Sequence, residues 1–480
     1  MTYDLVIRNG RIVTVDQSFD ADLAVQDGKI ADIGPRLASG STEIDASGKL
    51  VLPGGVDPHA HIEQMSGMGQ MNADTFETAT RSAAMGGTTS VISFAAQHHG
   101  KVLRDVVEDY AARALRGAMI DHAFHMIVSD ILVPGFDDDL AALIAAGHRS
   151  IKVFTTYNIK LDDAAILHVM AQARKHGALV CVHAENDGLI SWTKTALLNA
   201  GLIRPEHHAM SHPRLAEIEA VDRLCRFAEY LDQPVMLFHI STREGAAAVR
   251  AARARGAPVW AETCPHYLLM TADVLQRDGL EGAKWMCSPP QRMGGDQDAL
   301  WRALDRGDLQ IVSSDHAPYR FDDTGKLSAG SGATFAQIAN GMPGLEPRLP
   351  LMFDAMVNKT GMGVEKFVDV TSTAPARLYG LETKGHLSPG MDADIAIWDP
   401  ARRVAFADDD LHDNVGYNPW SGRTVTGWPV QVFLRGALLV DDGTFLGQPG
   451  QGQWLPRPDL ATRPTGIMAP EVQFILENTQ

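Results

Sequence analysis

Between residues 50 and 380 the chain repeats one pattern, a short β-rich apolar run followed by a longer segment with the spacing of an amphipathic helix. Eight such runs can be delimited, at 50–56, 88–95, 122–128, 150–155, 178–183, 234–240, 258–263 and 309–314. Helical periodicity fills intervals such as 102–116, 162–176, 213–231 and 243–255. Gly117, Gly177 and Gly256 stand where a helix C-terminus favours a residue that tolerates positive φ. Parallel strands need crossover helices of this kind, so the predicted class is α/β. Eight βα units in series close more naturally into a (β/α)8 TIM barrel than into a doubly wound open sheet, and roughly 330 residues suffice for that barrel with loop insertions.

The flanks differ in character. Short strands and turns precede residue 50, with Asn9-Gly10 and Asp27-Gly28 read as hairpin turns, and the same texture returns at 394–398 and 430–436. Neither end alone makes a sizeable core, so the two are predicted to meet as one discontinuous β-sandwich. The division that follows is 1–50 and 386–446 for the sandwich, 51–385 for the barrel and 447–480 for a C-terminal tail, which wraps another surface or frays.

Composition narrows the function classes. The 480 residues are 45% hydrophobic and carry a formal net charge of -17, which argues against nucleic acid or an anionic membrane as partner, since a polyanion is repelled over most of such a surface. Cys181, Cys225, Cys264 and Cys287 lack CxxC spacing and are read as buried thiols in a reducing compartment. With no basic-then-apolar leader and no run of about 18 apolar residues, the expectation is a cytoplasmic protein.

The polar residues at the ends of the apolar runs carry the chemistry. In Asp57-Pro58-His59-Ala60-His61 the two imidazoles are one residue apart, so on a strand they point the same way and can reach one metal ion. His183, His239 and Asp315 end the fifth, sixth and eighth runs. The C-terminal rim of a (β/α)8 barrel is where active sites are built, so these residues converge there. Lys152 lies inside the fourth run, where a charged amine facing the barrel interior is costly unless paired or neutralised. Two readings fit it: an ion pair with a carboxylate such as Asp315, or a carbamate formed with carbon dioxide, an anionic ligand long enough to bridge two cations.

His59-Ala60-His61, Lys152, His183-Ala184-Glu185, His239-Ile240-Ser241, Thr263-Cys264-Pro265-His266-Tyr267-Leu268 and Ser314-Asp315-His316-Ala317-Pro318 resemble the cyclic-amidohydrolase branch of the amidohydrolase superfamily, in particular dihydropyrimidinases and D-hydantoinases. The match runs from about Tyr3 to Pro400 with every ligand position in order. The resemblance implies two divalent cations, usually zinc, bridged by carboxylated Lys152: His59, His61 and Asp315 on one, His183 and His239 on the other. It implies hydrolytic opening of a cyclic amide to an N-carbamoyl amino acid, with Asp315 as proton shuttle and Tyr157 as oxyanion donor. Ser288 and Asn340 would grip the ring's amide edge through backbone groups. A homotetramer is implied as well.

Substrate choice is less constrained. Met65, Met68 and Met71 suggest an adaptable wall, His98 and His99 stand near the expected rim, and Thr155 and Thr156 replace the apolar and small pair often found beside the tyrosine in hydantoinases. Allantoinase or another cyclic imide or ureide hydrolase is the nearest rival. Dihydroorotase is disfavoured, because its relatives place an arginine where Glu63 stands and a glutamate repels a substrate carboxylate. A non-catalytic dihydropyrimidinase-like scaffold would have lost metal ligands, and this chain keeps six.

Overall fold

A computed structural model describes residues 2–466 and 468–478 of the chain. Eight strands pair in chain order in one parallel sheet: β1 (Gly55–Ala60), β2 (Thr88–Ala96), β3 (Asp121–Ile127), β4 (Ser150–Phe154), β5 (Leu179–His183), β6 (Val235–Leu237), β7 (Val259–Thr263) and β8 (Ile311–Val312). Intervening helices include Leu103–Gly117, Asp163–His176, Arg214–Leu231 and Arg243–Ala254. The side chain of Asp162 caps the second of these by accepting from the Ala165 amide, and Gly177 closes it in the left-handed conformation.

The ring closes between β8 and β1, where strand pairing is thin and side chains help to close the seam. Asp57 accepts the Ser314 amide, and the His61 amide donates to the His316 carbonyl at 2.7 Å. Arg348, wholly buried, donates to the carbonyls of Val56 and Val312 at 3.2 and 3.0 Å, bridging the first strand to the last. A guanidinium suits this position because its fork satisfies several backbone acceptors at once.

The predicted first strand, 50–56, belongs to two sheets. Leu50–Pro53 pairs with Tyr3–Val13 and with Ile395–Ala405 in the second sheet, while Gly55 opens the barrel. The apolar run is continuous because both sheets bury it; Pro53-Gly54-Gly55 marks the crossing, and a Cβ on Gly54 would lie 2.2 Å from the Thr89 hydroxyl. The second sheet joins nine strands from both chain ends, as the discontinuous β domain requires. It has its own core, with Ile7, Leu23, Ile395 and Phe433 among its buried members.

Asp27-Gly28 is the expected two-residue turn between Ser18–Gln26 and Lys29–Gly34, both residues having positive φ. Asn9-Gly10 is not a turn. The strand Tyr3–Val13 continues through it with a β-bulge, Asn9 at φ 58°, because Gly10 must pass within contact of Val51. The tail from residue 447 wraps across the N-terminal end of the barrel. The His122 amide donates to Gln453, Trp454 stacks on His148 at 5.1 Å, and buried Arg457 donates to the Ser150 hydroxyl at 2.6 Å and the Phe124 carbonyl at 2.7 Å. The tail therefore covers the end opposite the rim that carries the candidate site.

Candidate metal centre and substrate pocket

His59 ends β1 and His61 follows it, and both imidazoles turn toward Asp315 just beyond β8. Nε2 of His59 and of His61 lie 3.1 and 3.6 Å from the same Asp315 oxygen, and ligand atoms of the three residues all fall within 4.8 Å of one another. The outer nitrogens are held too: Nδ1 of His59 by Glu262 at 2.5 Å, Nδ1 of His61 by Gln64 at 2.7 Å. Bonds of that kind fix ring orientation and leave Nε2 to face inward.

His183, at the end of β5, and His239, just past β6, pack ring to ring at 4.5 Å, and His239 lies 5.5 Å from the His59 ring. Among the described residues, Nδ1 of His239 is buried without a hydrogen-bond partner. Lys152 on β4 is fully buried, its Nζ 3.8 Å from the Phe238 ring centroid and likewise without a hydrogen-bond partner. Among the described residues no carboxylate pairs with it, so the ion-pair reading of this lysine is not what the fold provides.

The electrostatics favour ligands over cations of the protein's own. Burial pulls the Lys152 amine down to about 7 and pushes His239 well below its ordinary value, so both lose protons readily. Burial opposes ionisation of Asp315, yet the fields and hydrogen bonds of the surrounding histidines outweigh it and hold the carboxyl well below its usual range. For His59 the balance runs the other way, Asp315 and Glu262 overcoming desolvation to raise it. Two carboxylates attract positive charge to this spot. A divalent cation satisfies them as a proton does, and the buried nitrogens left without partners fit such an ion.

Tyr157, His239 and Asp315 all have positive φ, at 69°, 43° and 48°. For non-glycine residues this is strain of roughly 1–3 kcal/mol each, held in place by the surrounding fold. At His239 it also accounts for the early end of β6, predicted to run to residue 240: the chain leaves the ladder at this turn.

The nine residues that the sequence assigns to metal ligation, catalysis and grip on the ring's amide edge all line one cavity of about 500 Å³. Asn340 donates to the Tyr157 hydroxyl at 3.4 Å, and the Ser288 hydroxyl donates to Glu185 at 2.6 Å. Glu185 is fully buried and also holds His183 Nε2 at 2.9 Å and His212 Nδ1 at 3.1 Å. Sequence reasoning passed over Glu262 and His212. Glu262 carries the signal that exposed Lys152, a charged residue inside a barrel strand; His212, in a connecting segment, carries none.

Other expectations change. Met68 lines the cavity, while Met65 and Met71 pair with each other across a hairpin, and His98 and His99 lie outside the lining. Thr155 bonds the carbonyls of His183 and Glu185, and Thr156 bonds Asp187, so these hydroxyls join the loop after β4 to the loop after β5. Glu63 faces away: its carboxylate accepts the Phe76 amide at 2.9 Å, beside the N-terminus of the helix Phe76–Met85. Repulsion of a substrate carboxylate by Glu63 therefore does not operate.

Residues 50–439 match the model of the amidohydrolase family. The chain belongs to that family. Within it, this amidohydrolase groups with hydantoinases and dihydropyrimidinases. It is 38% identical over 460 residues to a D-hydantoinase of Rhizobium radiobacter, covering 95% of this chain and 99% of the relative. Identity to the D-hydantoinase of Geobacillus stearothermophilus is also 38%, covering 94% and 96%. The crystal structure of a dihydropyrimidinase from Brevibacillus agri NCHU1002 superposes with TM-score 0.92 at 36% identity, covering 95% of this chain and 99% of that one. Amidohydrolases generally bind divalent metal, and the His59, His61 and Asp315 cluster is the candidate site for it here.

Proposed function

We propose that this amidohydrolase opens a cyclic amide by hydrolysis, converting a dihydropyrimidine or a 5-substituted hydantoin to the N-carbamoyl amino acid. The single observation that carries the reading is Lys152: a fully buried amine without a hydrogen-bond partner, within electrostatic reach of Asp315, His183 and His239. A carbamate on that nitrogen would be an anion able to serve two cations, with His59, His61 and Asp315 to hold one and His183 and His239 to hold the second. Two such cations, zinc by resemblance, supply Lewis acidity and hydroxide near neutral pH.

The protein's own groups supply the rest. Asp315 takes a proton from the attacking water and returns it to the departing ring nitrogen, which an amide needs because its nitrogen leaves poorly as an anion. The Tyr157 hydroxyl donates to the oxygen on which charge develops; its own proton is held tightly, burial raising it far above ionisation at neutral pH. Ser288 and Asn340, on two adjoining segments of the lining, hold the ring's amide edge through backbone groups. The carbonyl carbon gains one oxygen, the carbon–nitrogen bond breaks, and the nitrogen leaves as part of a neutral ureido group.

Four buried free thiols support a reducing, cytoplasmic location, and the family resemblance supports a homotetramer. The test is a panel of dihydrouracil, 5-substituted hydantoins, allantoin and simple imides, with product chirality measured. Opening of dihydrouracil or a hydantoin, abolished by chelation and restored by metal, is expected. Inactivity of metal-loaded protein on the whole panel contradicts the assignment, and exclusive action on allantoin moves it to the rival.

A further inference from the structure

Lys326 is a second fully buried lysine, outside the metal centre. It enters from an exposed loop, between Thr324 and Ser328 at the surface, yet its own side chain is wholly enclosed. Among the described residues no carboxylate pairs with it. Its Nζ donates instead to the Ala339 carbonyl at 2.8 Å and reaches the Met286 carbonyl at 3.4 Å. The same two segments are joined directly by the Gly341 amide, which donates to Met286 at 2.8 Å.

Those contacts fall one and two residues from Asn340 and Ser288. The Ala339 carbonyl shares its peptide group with the Asn340 amide, so an ammonium on the oxygen polarises the group through to the nitrogen. An uncompensated charge in such a place is costly to folding, and burial draws this amine down to about 7. An apolar side chain of the same length would avoid the cost of desolvating a charge but would leave the Ala339 carbonyl without this donor.

We propose that Lys326 is a positioning residue for ring opening, its ammonium fastening the Met286–Ser288 and Ala339–Gly341 segments at the spacing that grips the substrate's amide edge. The inference rests on the function proposed above, and it adds a residue that touches neither substrate nor metal. A purely structural lysine would raise stability and affect catalysis only through it. A positioning lysine trades stability for geometry, and the two signs differ.

The experiment compares Lys326→Met and Lys326→Gln with the parent, metal-loaded, by kinetics on dihydrouracil, thermal melting and amide hydrogen exchange. Lys326→Met should raise KM about tenfold, with kcat changed less, while its Tm equals or exceeds the parent's. Exchange should quicken in peptides covering 286–288 and 339–341 only. Lys326→Gln, which keeps a neutral donor, should fall between, and it provides the reading if the methionine variant does not fold. KM within twofold of the parent with unchanged exchange overturns the proposal, as does a KM rise matched by a lower Tm. Should the parent itself open no ring, the function assignment falls, and the exchange pattern alone still decides whether Lys326 holds the two segments together.

Discussion

Glu262 and His59 form a hydrogen bond of 2.5 Å between two fully buried side chains, carboxylate to Nδ1, and this directs the other nitrogen of His59 at Asp315. The carboxylate sits on β7 and the imidazole on β1, separated around the closed ring only by β8, so the bond ties the two sides of the closing seam together from inside the barrel.

Removing that support should loosen metal more than it loosens the fold. Glu262→Ala is expected to weaken metal affinity by about 10- to 100-fold, the range for partners that orient a ligand imidazole. Competition with a chelator, read by metal analysis, checks it; an unchanged affinity means that His59 does not need Glu262 to present Nε2.

Tyr157→Phe removes one hydroxyl from the cavity wall and leaves the ring that packs near His183 at 5.4 Å. The expected result is a fall in kcat of about 10²- to 10³-fold with little change in metal content, as for loss of one oxyanion donor. Steady-state kinetics on dihydrouracil with metal analysis would reveal it, and a kcat within threefold of the parent removes Tyr157 from the mechanism.

Reactivation of metal-free protein should depend on pH in a set direction. Burial penalises the ammonium form of Lys152 and lowers its titration from 10.5 to about 7. Only the neutral amine adds carbon dioxide, so below that value the reactive fraction falls about tenfold per pH unit, and above it the fraction levels off. At fixed dissolved carbon dioxide, the rate of activity recovery after adding metal should climb between pH 6 and 7 and flatten by pH 8. A rate that falls with rising pH contradicts the carbamate.

Much of this was legible in the sequence because the signals were local. Lys152 stood out as a charge within an apolar run, and His59 and His61 as a spacing. The path of Leu50–Pro53 into the second sheet was not legible, since apolar residues bury equally well in either sheet, nor was the bulge at Asn9, where the dipeptide that makes turns serves a register shift instead. Contacts between distant segments, such as Glu185 with His212 and Ser288, have no sequence period to betray them.

The joint between barrel and β domain gives a stability prediction. Lys384, wholly buried, lies 2.6, 3.0 and 2.9 Å from carboxylates of Asp121, Asp392 and Asp394, and Arg435 also pairs with Asp121. Lys384→Met leaves those carboxylates short of a counter-charge and should destabilise the protein by about 3–5 kcal/mol. Denaturant unfolding followed by fluorescence would measure it, and a loss under 1 kcal/mol would mean that the cluster is solvated or repaired by Arg435.

The most direct test is to load the metal-free protein with divalent cation under ¹³C-labelled carbon dioxide, count the metals and record the carbon NMR spectrum. Two cations per chain and one carbamate resonance are predicted for the parent, both lost in Lys152→Met, where at most one cation remains. A parent that binds two cations with no carbamate signal, or a methionine variant that keeps both, would contradict the bridged centre.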